Sequence, residues 1–260
     1  MFFKPPCRPN RSRKGGYKDT EREDANGLLT PWKLLTEGAK AYGATLSAEQ
    51  EAAFRRYYQL LLEWNRKVNL TRITGDREVV LKHFLDSLTY LVGIPPAWHS
   101  QAIRLIDVGS GAGLPGIPLL LARPNWSGVL LEATRKKVEF LDMAIRELGL
   151  TSRAQTHWGR SEEASKTDKG RYDLVAARAV ADLETLVSWT FQFLRPGGRL
   201  IVSKGPRGVE EAEAASGTIR KTGGSEPVLI PLDLPEGAGT RILVVIEKRE
   251  KGKVNLSTSG

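Results

Sequence analysis

Three observations predict an α/β fold built on a mostly parallel, seven-stranded sheet with an antiparallel final strand. Seven short strand-like runs, most of them rich in Val, Leu and Ile, follow Ala102, helix-length stretches separate most of them, and a glycine-rich turn stands directly behind the first. Alternation of strand and helix is the pattern of a doubly wound sheet covered on both faces. The last two runs have only DLPEGAG (233–239) between them, too short for a crossover helix, so the sheet should end in an antiparallel pair.

The elements follow in chain order. Residues 1–27 are charged and rich in Pro and Gly without apolar periodicity, which predicts a disordered basic leader. A small helical N-terminal subdomain is expected over 28–100. Ser47 and Gln50 form a capping-box pattern ahead of Phe54, Tyr58, Leu61, Trp64 and Val68, which recur at helical spacing. The Trp and Tyr of 57–64 read as helix packing before they read as a base-stacking platform. A second helix is expected over 78–92, with Val80, Phe84, Leu88 and Leu91 on one face, before Pro95 and Pro96 interrupt it. The catalytic domain is placed at 101–250, with strands over 103–109, 127–133, 153–159, 172–180, 198–205, 227–232 and 240–249. The clearest helix starts after Thr134, read as its N-cap, carries Val138, Leu141, Ile145 and Leu148 inward and stops at Gly149. A flexible tail is expected over 251–260.

Composition narrows the chemistry. The 260 residues include 39 Lys and Arg against 30 Asp and Glu, for a formal charge of +9. That excess fits a polyanionic partner such as nucleic acid, or a basic but otherwise ordinary enzyme. Mean hydropathy is −0.31 and no apolar run approaches the roughly 18 residues of a membrane span, so no membrane partner is expected. The leader carries too few apolar residues for a signal peptide. The one cysteine, Cys7, permits no intramolecular disulfide, and three scattered histidines show no metal-ligand spacing. A cytoplasmic, monomeric protein with metal-free chemistry is the expectation.

The glycine turn IDVGSGAGLPGIP (106–118) admits two cofactors. Gly111, Gly113 and Gly116 satisfy the dinucleotide pattern G-x-G-x-x-G, while Asp107, Gly109 and Gly111 satisfy the D-x-G-x-G turn of enzymes that bind S-adenosylmethionine. Pro115 and Pro118 suit the first turn of the helix that follows. Glu132, at the end of the second strand, can accept from both ribose hydroxyls in either case, though it would repel a phosphorylated ribose. Asp107 favours S-adenosylmethionine, because its carboxylate could orient backbone and the cofactor's ammonium group where a pyrophosphate would meet an anion. The antiparallel ending and Ser161–Glu162 after the third strand, positioned for an adenine, point the same way. An NAD-dependent oxidoreductase is the alternative, and no Tyr–Lys or His–Asp pairing at the strand ends supports it.

Beyond the turn, EWNRKVNLTRIT (63–74), HFLDSL (83–88), LIDVGSGAGLPGIPL (105–119), LLEATRKKVEFL (130–141) and ARAV (177–180) resemble the RsmG family, also called glucose-inhibited division protein B. The resemblance spans about 60–205 and extends more weakly to the last strands. It implies a class I methyltransferase (Rossmann-like) fold, S-adenosylmethionine as cofactor, and 16S ribosomal RNA or a small-subunit particle as partner. It implies methylation of N7 of a guanosine, G527, in the 530 hairpin. Cofactor contacts carry over to Gly109 and Leu114, to Glu132, Ala133 and Thr134, to Ser161–Glu162 and to Arg178; Asp107, Gly111 and Gly113 complete the cofactor turn. Other branches of the family carry an Asp-Ser pair where this chain has Glu132–Ala133. A class I methyltransferase acting on another RNA or a non-RNA substrate is a second alternative, and a non-catalytic rRNA-binding factor that keeps the inherited fold is a third.

No general acid or base is assigned, because guanine N7 bears an in-plane lone pair. Substrate-positioning candidates are Arg178, Lys204, Arg207, His83, Asp86, Asn69, Arg72, Arg135 and Lys136. Each has a bland counterpart. Arg178 could make a sheet-end salt bridge. Lys204 and Arg207 could contact phosphate or be solvated surface charge. His83 and Asp86 could form a structural pair, and Asn69 could cap a helix end. Arg135, Lys136 and Lys137 sit badly against a helix dipole, so they read as a phosphate contact or a solvated face.

Overall fold

The computed structural model describes residues 29–161, 169–178 and 181–250; the predicted leader, the tail and Glu162 lie outside them. Three features of the chain build its N-terminal portion. Pro31 opens α1 (Pro31–Ala41), where a missing N–H costs nothing. Ser47 and Gln50 close a reciprocal capping box at α2 (Ala48–Asn65), so two otherwise orphaned backbone donors are satisfied. The helix expected over 78–92 begins slightly earlier and is not uniform. It runs as α3 (Asp76–Val79), a π-helical segment Val80–Leu85, α4 (Asp86–Leu88) and a 3-10 turn Thr89–Gly93. That irregularity lets both aromatic and charged side chains of one segment turn inward: Val80, His83, Phe84, Leu85 and Asp86 are all buried.

Seven strands follow: β1 (Arg104–Val108), β2 (Ser127–Glu132), β3 (Ala154–Trp158), β4 (Tyr172–Arg178), β5 (Leu194–Lys204), β6 (Val228–Asp233) and β7 (Thr240–Glu247). Their order across the sheet is β3-β2-β1-β4-β5-β7-β6. All neighbours are parallel up to β5, and β7 runs antiparallel to both β5 and β6. The predicted sheet and its antiparallel ending are therefore present. Helices α5 (Gly116–Ala122), α6 (Arg135–Glu147), α7 (Leu183–Thr190), α8 (Gly208–Ala214) and α9 (Ser216–Lys221) connect the strands. Two local expectations shift. β5 starts at Leu194, four residues early, because the chain re-enters pairing with Tyr172 before an irregularity at Pro196–Gly198. Pro115 stands at the N-cap of α5, one residue ahead of the helix turn expected for it, while Pro118 falls in the first turn as expected.

The order of strands reverses direction between β1 and β4, the point at which an open α/β sheet binds its ligand beyond the strands' carboxyl ends. One apolar cluster packs α1, α2 and the 76–93 segment onto one face of the sheet, through Phe54, Tyr57, Leu61, Phe84 and Leu88 against Leu105, Ile117, Leu130 and Ile201. The opposite face is covered by α7 to α9 through Leu186, Phe191 and Ile219 against Val108, Val175 and Val202. Trp64 packs on Phe140 of α6 with ring centroids 5.8 Å apart, which gives the aromatic residues of 57–64 the packing role expected of them.

Tyr90 ties the helical portion to the sheet's ligand edge. Its buried hydroxyl donates to the Ala177 carbonyl at 2.7 Å and accepts from the Ser203 N–H at 3.1 Å, bridging the ends of β4 and β5. Tyr90→Phe should leave the Ser203 N–H and the Ala177 carbonyl with one fewer partner in a dry interior. The expected loss is about 2 kcal/mol of unfolding free energy, read from urea melts at unchanged m-value.

Candidate active site

The glycine turn is shaped by two carboxylates that bind backbone. Asp107, at the end of β1, is fully buried; its Oδ2 accepts from Ser110 Oγ at 2.6 Å and from the Gly116 N–H at 2.9 Å. Glu132, at the end of β2, accepts from the Gly111 N–H at 2.9 Å through Oε2 and from the Thr134 N–H at 2.8 Å through Oε1. The turn between them needs glycine at specific places. Gly109, Gly111 and Gly113 have φ of +69°, +61° and +90°, a region costly for residues with a Cβ. At Gly116 a Cβ would lie 2.5 Å from Leu130 Cδ2 and 2.8 Å from Asp107 Oδ2, so the glycine there is required by close approach. The Tyr57 hydroxyl donates to the Ala112 carbonyl and pins the turn from the helical side.

A cleft of about 280 Å³ opens beside this turn, lined by Val108, Gly109, Leu131, Ala133, Gly159, Arg160, Ser161 and Trp189. Among the predicted cofactor residues, Gly109, Ala133 and Ser161 reach it directly, while Leu114 is buried in the core that supports the turn. Thr134 stands at the N-cap of α6 as expected, but its side chain makes no capping bond, and its own N–H is held by Glu132. Glu132 also differs from expectation, since each oxygen already holds a backbone donor and only its remaining lone pairs are left for a ribose.

Asp107 has a feature the sequence did not reveal. Its Oδ1 is buried with no hydrogen-bond partner, and burial, the dominant influence, pushes its carboxyl up to about 6 against the opposing pull of Ser110 and the Gly116 N–H. Asp107 does not line the cleft, so its role there is to hold the turn, while the cleft's mixture of apolar side chains and small residues suits a purine nucleoside. These residues fit S-adenosylmethionine.

The positioning candidates separate into internal and exposed groups. Asp86 is buried and joins two arginines, with Arg178 Nη1 at 3.3 Å from Oδ2 and Arg241 Nε at 3.1 Å from Oδ1. Arg178 also donates to the Lys82 carbonyl. His83 pairs with Thr71 Oγ1 at 2.7 Å and with the Lys82 carbonyl rather than with Asp86. Burial, reinforced by Arg178, holds its imidazole down to about 4. Lys204 is neither a solvated charge nor a free phosphate contact: its ammonium lies 2.7 Å from Glu211 and donates to the Ala181 carbonyl, with only 10% of the side chain exposed. Asn69 is exposed and does not cap α2, whose C-cap is Arg66; Asn65, the last residue of the helix, instead holds the following loop by accepting from the N–H groups of Leu70 and Thr71. Arg72, Arg135, Lys136 and Arg207 are exposed. Arg241 was missed by sequence reasoning because it lies in β7, 155 residues from Asp86, and nothing local marks it.

Sheet order, glycine turn and cleft together define a class I methyltransferase fold. Among solved structures it resembles a [4+2]-cyclase, SpnF, with a TM-score of 0.52 at 15% identity over 78% of this chain and 97% of that one. A predicted O-methyltransferase from Agrobacterium tumefaciens aligns at 0.49 and 17% identity over 58% and 76% of the two chains. The family model described as rRNA small subunit methyltransferase G matches residues 50–229. Proteins named ribosomal RNA small subunit methyltransferase G are 43% identical in Pelotomaculum thermopropionicum, over 83% of this chain and 90% of that one, and 39% identical in Staphylococcus haemolyticus, over 87% and 91%. This chain belongs to the rRNA small subunit methyltransferase G family.

Asp107→Asn is predicted to trade binding for stability. The amide oxygen keeps both acceptor bonds, while the buried charge is removed. Unfolding free energy at pH 8 should rise by about 1 kcal/mol, and calorimetry with S-adenosylhomocysteine should show at least tenfold weaker binding. Acid stability isolates His83. Its native-state value lies below the unfolded one, so the unfolded chain takes up the proton first, and stability falls as pH drops from about 6.5 to 4. Asp107 acts oppositely, since a raised carboxyl favours folding at low pH and loses that contribution as pH rises from 3.8 through 6. In the Asp107→Asn variant the His83 slope should therefore stand alone, up to about 3 kcal/mol across that window, and His83→Gln should flatten it.

Proposed function

We propose that this protein, acting as a monomer, is an S-adenosylmethionine-dependent methyltransferase that modifies N7 of a single guanosine, G527, in the 530 hairpin of bacterial 16S ribosomal RNA. Family membership supports the class of reaction and the RNA. The observation that carries the cofactor is the glycine turn beside the cleft, with Gly109 lining the cleft and Asp107 and Glu132 holding the turn's backbone.

S-adenosylmethionine, when bound, supplies an electrophilic methyl group on a positively charged sulfur. This chain's residues then have three tasks. Gly109, Ala133 and Ser161 shape the cleft that would take the nucleoside, Glu132 fixes the loop around it, and Asp107 holds the turn's backbone. No proton has to leave guanine before its N7 lone pair attacks, so the chain needs no general base. His83 fits that view, because both its ring nitrogens are engaged by Thr71 and the Lys82 carbonyl. Rate enhancement then comes from alignment of donor and acceptor, the contribution of a positioned reaction. Exposed Arg72, Lys136 and Arg207 supply phosphate contacts, which fix the RNA without reading its bases.

The decisive assay incubates the protein with tritiated S-adenosylmethionine and 16S rRNA, free or in small subunits, from cells lacking this modification. Borohydride–aniline scission should cut at one labelled guanosine. Label spread over many positions, or on a carbon or an exocyclic nitrogen, would defeat the proposal.

A further inference from the structure

Trp158 is the last residue of β3, and it is an outlier on this surface: 59% of it is exposed. Aromatic residues of this size are ordinarily covered, as Trp126 and Phe140 are here. The ring is nonetheless held in place. Its Nε1 donates to the Ala133 carbonyl at 3.0 Å, and the Arg135 guanidinium lies over it, 5.3 Å from the ring centroid. Arg135 itself has 74% of its side chain exposed and only a 3.7 Å contact with Glu139. Lys136, next to Arg135 on α6, and Arg160, two residues beyond Trp158, are also exposed and cationic.

Those surroundings select the partner. A membrane or an apolar protein surface would need apolar neighbours beside the tryptophan, and there are none in this group. A rigid indole with a stacked guanidinium and flanking cations fits one chemistry, a nucleobase on the ring with phosphates on the cations. The position is close to the cleft as well. Trp158 pairs in register with Glu132, the Gly159 N–H donates to the Glu132 carbonyl at 3.1 Å, and Gly159 and Arg160 line the cleft.

We propose that Trp158 and Arg135 form a stacking subsite for an unpaired base of single-stranded RNA that flanks the modified nucleotide. The subsite deepens the rRNA methyltransferase reading and rests on it. Because the indole is already fixed by the Ala133 carbonyl, a base would dock on it without ordering a side chain, and any unpaired base would serve, since stacking does not read sequence.

The test uses the full chain, short single-stranded oligoribonucleotides and S-adenosylhomocysteine. RNA should quench tryptophan fluorescence in the wild type, and the quench should be mostly lost in Trp158→Leu. RNA affinity should fall about tenfold in Trp158→Leu and by less in Trp158→Phe, which keeps a stacking ring, while S-adenosylhomocysteine affinity stays within about twofold for both. Arg135→Gln should weaken RNA binding and reduce its salt dependence. Unchanged RNA affinity in Trp158→Leu overturns the proposal. So does a loss confined to S-adenosylhomocysteine affinity, which would make Trp158 a support for the Ala133 loop alone. Failure of the wild type to label 16S rRNA would instead sink the parent reading, and oligonucleotide quenching would still report on the stacking site.

Discussion

Backbone held by buried carboxylates is the constraint on which the site depends. A turn that runs through three positive φ values and passes close under Leu130 has few side chains of its own to anchor it. Asp107 and Glu132 supply the anchor by accepting N–H and O–H donors from Ser110, Gly111, Gly116 and Thr134. Charge-assisted bonds of this type are the strong ones, and they fix main chain rather than mobile side chains. Asp107 meets this duty with one oxygen and leaves the other unpartnered in a dry setting. The resulting destabilisation shows as a carboxyl raised to about 6.

The helical elements ahead of the sheet are part of the same construction. Tyr57 reaches the Ala112 carbonyl in the turn, Tyr90 bridges Ala177 and Ser203 across two strand ends, and Asp86 holds one arginine from β4 and one from β7. Three residues from helical segments outside the sheet thus converge on its carboxyl edge. Removing Asp86 alone would leave two cations in a poorly solvated site, the costly way to break such a group.

Periodicity and turn chemistry are local, and what is local was legible in the amino-acid sequence. The capping box at Ser47, all seven strands, the antiparallel ending and the positions of Asp107, Gly109 and Glu132 were readable because each is written within a few residues. What escaped was set by distance. Lys204 looked like a surface charge until β5 brought it to Glu211 and Ala181. His83 and Asp86, three residues apart on one segment, suggested a pair, but each finds its partner elsewhere in the fold. Asn69 was the expected cap, but the C-cap of α2 is Arg66, and Asn65, four residues before Asn69, ties down the loop that follows. Trp158 carried no signal at all, because a tryptophan at the end of a β-rich run reads as core, and only an edge strand with no neighbour beyond it leaves the ring open.

The distribution of charge also bears on the proposed chemistry. Methyl transfer to N7 moves positive charge from sulfur onto the purine, so an uncompensated cation beside the acceptor would oppose the transition state. At the carboxyl edge of the sheet the cations are partly compensated: Arg178 and Arg241 share the single carboxylate of Asp86, and Lys204 pairs with Glu211. The cations left exposed, among them Arg72, Lys136 and Arg207, stand in solvent. There they can attract phosphate through counterion release while water screens them from the reacting atoms. A protein with a formal charge of +9 must attract a polyanion and still keep its reaction centre free of bare positive charge. Pairing Arg178, Arg241 and Lys204 with Asp86 and Glu211 lessens the inner positive charge while the outer cations stay bare.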